Sequence, residues 1–254
     1  MGRGSRGCGN SDVFIGTTLV DKYGKCGLLS KAYETFELLR SRDVVAWTSL
    51  ISGYAQHGHG KEAFLCFESM KCEGLFPNTI TYVCILNGCS KIGVISKGRE
   101  IHAEIVRQGL LDKSIVVGNA LINMYAKVGD LNNAEEVFDG LPYRNVISWT
   151  ALIAGYAQCK RDKEALNCFE RMQYSGLPPD GVIWACVLQI YGNRRAIIKG
   201  RAIHMEVVKK GLFGKDVSTN NGLLDMYAKC GAVIEVHKVL KSLQARGIVS
   251  WNAI

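Results

Sequence analysis

Tryptophan recurs at Trp47, Trp149 and Trp251, each 102 residues after the last, and the neighbouring residues travel with it. VVAWTSLISGYAQ from Val44 answers VISWTALIAGYAQ from Val146, and KEAFLCFESM from Lys61 answers KEALNCFERM from Lys163. KGREIHAEIVRQGL from Lys97 returns as KGRAIHMEVVKKGL from Lys199, and YGKCG at Tyr23 returns as YAKVG at Tyr125 and YAKCG at Tyr227. A period that runs through nearly the whole chain confines it to stacked units. Each unit must fold alike and meet its neighbour through the same surfaces.

Inside each 102-residue period lies a finer one of 31, 35 and 36 residues. The short units are 13–43, 115–145 and 217–247, the standard units 44–78 and 146–180, and the long units 79–114 and 181–216. Residues 1–12 form an N-terminal extension, and 248–254 (IVSWNAI) begin an eighth unit, so the chain is expected to be part of a longer protein. Each unit reads as two helices. In 44–78, Trp47, Leu50, Ile51 and Tyr54 place an apolar stripe on one helix, the turn Gly58-His59-Gly60 ends it, and Ala63, Phe64, Phe67 and Met70 supply the next stripe. Gly74 closes the second helix, and Pro77, like Pro179 one period later, forbids its continuation. One such hairpin cannot bury its own apolar faces, whereas stacked hairpins share a core. The expected fold is all-α, a right-handed α-solenoid of stacked helix hairpins.

Composition narrows the class of function. No apolar run approaches the roughly 18 residues of a membrane-spanning helix, so no membrane partner is expected. The formal charge of +8 makes a polyanion a natural partner. The ten cysteines contain no C-x-x-C pair, which argues against a zinc ribbon or finger, and no metal or other cofactor is expected. Cys66 and Cys168, and Cys84 and Cys186, hold equivalent places one period apart and read as small fillers of a repeated core. Met1 to Asn10 lacks the apolar centre of a secretory signal and is too short for a transit segment.

The 31/35/36 alternation, with W-T-x-L-I-x-G-Y-A-Q, Y-A-K-C-G and G-R-x-I-H-x-E at fixed places, resembles the pentatricopeptide repeat family. More narrowly, it is similar to the plant-type subclass that cycles through long, short and standard motifs, abbreviated PLS. A tetratricopeptide array has a uniform period of about 34 residues, which does not fit the alternation. The resemblance implies binding of single-stranded RNA at about one base per repeat, with the first helices facing the strand. It further implies action in a plastid or mitochondrion, in RNA processing or in recognition of C-to-U editing sites. Any chemistry on the RNA would come from a further domain or from an editing or processing enzyme in trans. The alternative is a solenoid scaffold that docks a protein or peptide in its groove; basic side chains lining that groove favour RNA.

In this family base choice is set mainly by the fifth and last residues of a motif. Those pairs are Thr17 with Asp43, Thr48 with Asn78, Asn119 with Asn145, and Thr150 with Asp180. Chemistry supports the rule, because guanine and uracil present a ring N–H where adenine and cytosine present a bare ring nitrogen. Asp can only accept, and Asn can donate. With the family's assignment of Thr to purines and Asn to pyrimidines, the pairs read G, A, C (with U tolerated) and G. The expected target is 5′-G-A-n-C/U-G-n.

Second-position residues Phe14, Val45, Ile80, Val116, Ile147 and Val182 would, by the same resemblance, sandwich the bases, a contact that adds affinity more than choice. Ser218 departs from that pattern. Val83 and Ala185 stand at the fifth position of the long units and cannot hydrogen-bond, so those units read as spacers. Asn221, paired with Gly247, and Asn252 in the final stub are the weaker readers. Asp43, Asn78, Asn145 and Asp180 also stand where a cap for the following helix is wanted.

The chain is not expected to be an enzyme. His102-Ala103-Glu104 and His204-Met205-Glu206 reproduce half of a zinc-deaminase signature, but the P-C-x-x-C half is absent. Their repetition at one place in both long units fits a packing motif. His57 and His59 fall in a turn without ligand-spaced partners, and no nucleophile elbow or phosphate loop occurs.

Overall fold

The structure, a computed structural model, describes residues 8–245, with side chains from 14 to 243. Fifteen helices and no strand occur among them. In chain order they are α1 (Cys8–Lys25), α2 (Leu29–Glu37), α3 (Val44–Gln56), α4 (Gly60–Cys72), α5 (Thr79–Ile92), α6 (Ile95–Arg107), α7 (Leu110–Lys113), α8 (Ile115–Lys127), α9 (Leu131–Gly140), α10 (Val146–Gln158), α11 (Asp162–Tyr174), α12 (Gly181–Asn193), α13 (Ile197–Lys209), α14 (Val217–Lys229) and α15 (Val233–Ala245). The eighth unit, with Trp251 and Asn252, and Gly247 lie outside the described residues.

The chain divides into two compact units, Met1–Pro142 and Tyr143–Ile254. In the first, α1, α3, α5 and α8 pack side by side in one layer, and α2, α4 and α6 each bridge their own first helix and the next. In the second, α10, α12 and α14 form the layer, with α11 and α13 as bridges. Each unit is an α-solenoid built of hairpins.

The apolar stripes form the core. Leu50, Ile51, Ala63, Phe67 and Met70 are buried, Trp47 nearly so, and one period later Leu152, Ile153, Ala165, Phe169 and Met172 repeat them. Cys66 and Cys168 are buried within this core, as their repetition implied, and burial pushes the Cys66 thiol up to about 12. Cys84 and Cys186 are only half-buried.

Three details differ from the sequence reading. Helix α1 begins at Cys8, ahead of the expected boundary at Val13, because no proline or left-handed residue separates Cys8 from the helix. The first long unit carries a third short helix, α7, which fills its extra residues after Gly109 turns the chain at φ 61°. Gly60 is the first residue of α4 rather than part of the turn, where a Cβ would stand 2.7 Å from Ile92 Cγ2.

Helices α1 and α3 approach so closely that a Cβ on Gly53 would lie 2.9 Å from Gly24 Cα. Backbone cannot move aside as a side chain can. Gly53→Val is therefore expected to lower the stability of the first unit by about 1–3 kcal/mol, read as a fall in the denaturant midpoint; an unchanged midpoint would show that the two helices can separate freely.

Candidate nucleic-acid interface

The N-terminal ends of the first helices carry most of the residues singled out above. Asp43, Asn78, Asn145 and Asp180 are all N-caps in extended backbone, each accepting from the backbone N–H three residues on. The distances are 2.8 Å to Ala46, 2.9 Å to Thr81, 3.0 Å to Ser148 and 2.9 Å to Ile183. Capping occupies only Oδ1. The second polar atom, Oδ2 of Asp or Nδ2 of Asn, is not used in the cap, so the cap and a base contact are compatible in one side chain.

Of the four pairs, one is joined directly by a hydrogen bond and a second through a residue of the following repeat. Thr150 Oγ1 lies 2.9 Å from Asp180 Oδ2 and 2.7 Å from Val146 O, so its one proton is shared between two acceptors. Thr48, 8% exposed, meets Thr81 Oγ1 at 2.7 Å, and Thr81 Oγ1 donates to Asn78 Oδ1 at 3.1 Å. Thr17 and Asp43 are not joined: Thr17 Oγ1 is buried without a partner, and Ala46 holds the place that Thr81 holds one unit later. Asn119 lies in the first compact unit and Asn145 in the second. Asn119 is buried but for 8% of its surface, and Asn145 forms a capping box with Ser148.

The second positions share one property. Phe14, Val45, Ile80, Val116, Ile147 and Val182 are all exposed, between 46% and 73%, although every one is a large apolar residue. Nothing in the folding of a hairpin calls for this. Ser218 is exposed too, while Val83 and Ala185 are half-buried, and a Cβ on Gly222 would stand 3.1 Å from Ala185 Cα. Asn221 is half-buried on α14.

The first-helix layer of the first unit holds a polar cleft of about 260 Å³ lined by Ser52, Gln56, Asn87, Ser90, Lys91 and Lys127, with Ala55 and Cys84. Lysines close the last turns of several first helices, with Lys22 and Lys25 on α1, Lys91 on α5, Lys127 on α8 and Lys229 on α14. Each favours the negative end of its helix dipole. Lys91 also donates to Gln56 O, while Lys25 and Lys229 pair with Asp21 and Asp225 on their own helices.

In both H-x-E copies the histidine packs against a tyrosine of the next first helix. His102 Nδ1 lies 3.0 Å from the Tyr125 hydroxyl and His204 Nδ1 2.9 Å from that of Tyr227, with the rings edge to face in both. Burial lowers both imidazole pKa values. Glu104 accepts from the Tyr82 hydroxyl at 2.7 Å and from Lys71 at 3.1 Å, tying α6 to α4 and α5. No cluster of three or more potential metal ligands occurs among the described residues, and no described helix is long and apolar enough to cross a membrane.

Sequence reasoning passed over Thr81 and Ser148, the third residues of their units, both fully buried and both bonded to the cap residue. An Asn followed three residues later by Thr or Ser was the available signal.

Comparison with known proteins agrees with this architecture. The chain is 36% identical over 244 residues to the pentatricopeptide repeat-containing protein At4g18520, chloroplastic, of Arabidopsis thaliana, a match covering 96% of this chain and 39% of that protein. It is also 36% identical to the mitochondrial At3g24000 of the same plant, covering 96% and 38%. The chain thus spans about two-fifths of the length of these relatives. Among solved structures, maize PPR10 in complex with an 18-nt psaJ RNA element superposes with a TM-score of 0.73 at 21% identity, over 97% of this chain and 39% of that one. Maize PPR10 alone gives 0.69 at 22%, over 93% and 35%. At that identity the likeness bears on the fold. The PPR repeat model matches residues 17–44, 80–110, 119–146, 147–177 and 221–248, and the PPR repeat family model matches 42–91; with more than half its length so matched, the chain belongs to the pentatricopeptide repeat family.

Proposed function

We propose that the chain is a sequence-reading, single-stranded RNA-binding adaptor that takes about one base per reading repeat. The observation that carries this reading is the joint presentation, at the first-helix N-termini, of an exposed apolar residue and a cap whose second polar atom takes no part in capping. Exposed apolar side chains at a fixed repeat position suit stacking against bases, which tolerates any sequence. The cap residue then supplies choice. Asp180, bonded to Thr150, offers only acceptors and suits guanine's N–H groups; Asn78 offers an amide donor and suits adenine's bare ring nitrogen. Asp43 with Thr17 reads as guanine by the same argument.

The polar, lysine-flanked cleft on the first-helix layer favours a polyanion over an apolar peptide, so the scaffold alternative is the weaker reading. Maize PPR10, which shares the fold, has RNA as its ligand in the psaJ complex, and relatives carry chloroplastic or mitochondrial in their names. With the 31/35/36 alternation of the PLS pattern, these support an organellar role in RNA processing or in recognition of editing sites. A catalytic partner in trans, or a further domain of a longer protein, would supply the chemistry.

A titration at fixed salt tests this with an RNA carrying GAnCGn and a second RNA in which A and G are exchanged. The first should bind about tenfold tighter or more, as expected when mismatched bases leave hydrogen-bonding groups unpaired. Log affinity should fall with log salt at about −0.7 per phosphate contacted. Equal, salt-sensitive binding of both would leave a basic solenoid without base choice. Binding of neither would sink the RNA reading.

A further inference from the structure

The two hydrogen-bonded pairs solve one problem in different ways. In the unit 146–180 the cap is Asp180, whose Oδ2 shares the Thr150 proton with Val146 O. In the unit 44–78 the cap is Asn78, whose outer atom Nδ2 is a donor and cannot take a hydroxyl proton. The Thr48 proton needs another acceptor, and Thr81 provides it at 2.7 Å. Thr81 Oγ1 spends its own proton on Asn78 Oδ1, 3.1 Å away, and accepts from the Asn78 backbone N–H at 3.3 Å. Either hydroxyl could donate across this contact, and the arrangement that satisfies Thr48, Thr81 and Asn78 together has Thr48 as the donor.

In that arrangement the protons run from Thr48 to Thr81 to Asn78. Thr48 is left with only lone pairs to offer a base, beside the Asn78 amide donor. An acceptor next to a donor complements adenine, which presents an amino group beside a bare ring nitrogen; guanine's ring N–H would meet the Asn78 amide donor, where Asp180, beside a Thr150 that likewise gives its proton away, offers an acceptor.

After the other three caps of the base-reading pairs, the third residue carries a hydroxyl only beside Asn. Asn145 is met by Ser148, whose Oγ donates to Asn145 Oδ1 at 3.0 Å, while Asp43 and Asp180 are met by Ala46 and Ile183. Asp216, which caps the helix after a long unit whose fifth residue is Ala185, is met by Thr219. Neither Ala185 nor Asn119, the fifth residue paired with Asn145, carries a hydroxyl to be directed, so only Thr81 meets one.

We propose that Thr81 is a positioning residue for base choice. Its hydroxyl fixes the direction of the Thr48 proton and so makes the unit 44–78 an adenine reader. The inference rests on the RNA-reading function proposed above.

The test is the ratio of affinities for two single-stranded RNAs that differ only in A or G at this unit's base, measured for the unchanged chain, Thr81→Val, Thr81→Ser and Asn78→Asp. Thr81→Val keeps the shape and removes the relay, and should lower the A-to-G ratio by about threefold to tenfold, the worth of one ordinary hydrogen bond. Thr81→Ser should restore it, and the preference for G at the Thr150/Asp180 unit should not move. A Thr81→Val chain that loses affinity for both RNAs alike, or only melting temperature, would show a cap without a role in choice and overturn the inference. If Asn78→Asp shifts the ratio and Thr81→Val does not, the inference fails and base reading stands; if neither shifts it, base reading itself fails.

Discussion

Asn78→Asp should turn an adenine preference into a guanine preference at one position of the bound RNA. The substitution changes a single outward atom. Asn78 Oδ1 is held by the Thr81 N–H at 2.9 Å and by the Thr81 hydroxyl, and Asp fills the same cap role at Asp43 and Asp180. Stability should therefore move little. Facing the base, a donor becomes an acceptor, so adenine loses its hydrogen bond and guanine's ring N–H gains one. Leaving such a group unpaired costs about 1–3 kcal/mol, and the change acts on both bases in opposite directions. The ratio of affinities should swing by roughly a hundredfold on that scale. Competition between two RNAs differing at one base measures it directly. Undiminished affinity with an unchanged ratio would mean that the cap never meets the base.

Phe67→Ala should cost about 3–5 kcal/mol, the range for truncating a large buried ring. Phe67 is 1% exposed, lies edge to face with Tyr82 at 6.0 Å between ring centres, and has Lys71 Nζ 4.9 Å from its own ring centre. It sits where α4 meets α5, so its loss opens a cavity at a joint between two repeats. Denaturant unfolding followed by far-UV circular dichroism gives the free energy. A loss below about 1 kcal/mol would mean that the joint collapses onto the smaller side chain. Together the two substitutions separate the repeat's tasks: one alters recognition with little effect on stability, and the other does the reverse.

The hairpins were legible in the sequence because their signals are local. Apolar spacing, a turn glycine and a following proline all act within one unit, and repetition checks them several times over. The start of α1 at Cys8 and the short α7 were not legible, since no copy elsewhere in the chain repeats them. The second positions stand out in the sequence only through resemblance, and it takes the structure to show that their apolar side chains remain uncovered. The hydroxyl relay lay beyond the sequence for another reason: Thr48 and Thr81 are 33 positions apart and belong to different units. Sequence can place Thr81 three residues after an N-cap, but the direction of a proton depends on what each neighbouring oxygen is already doing.

Within each compact unit, helices pack extensively only on their own hairpin partner and on the adjacent hairpin. Among the described residues no distant segment has to be brought back across the chain, so the entropy of closing long loops does little to hinder folding there, and contact order stays low. The same short reach bears on evolution. If the caps read bases as proposed, altering Asp180 should leave the choice proposed for Asn78 untouched, since effects of independent sites add. A repeat array wired this way can drift to a new target one letter at a time, each step judged on its own.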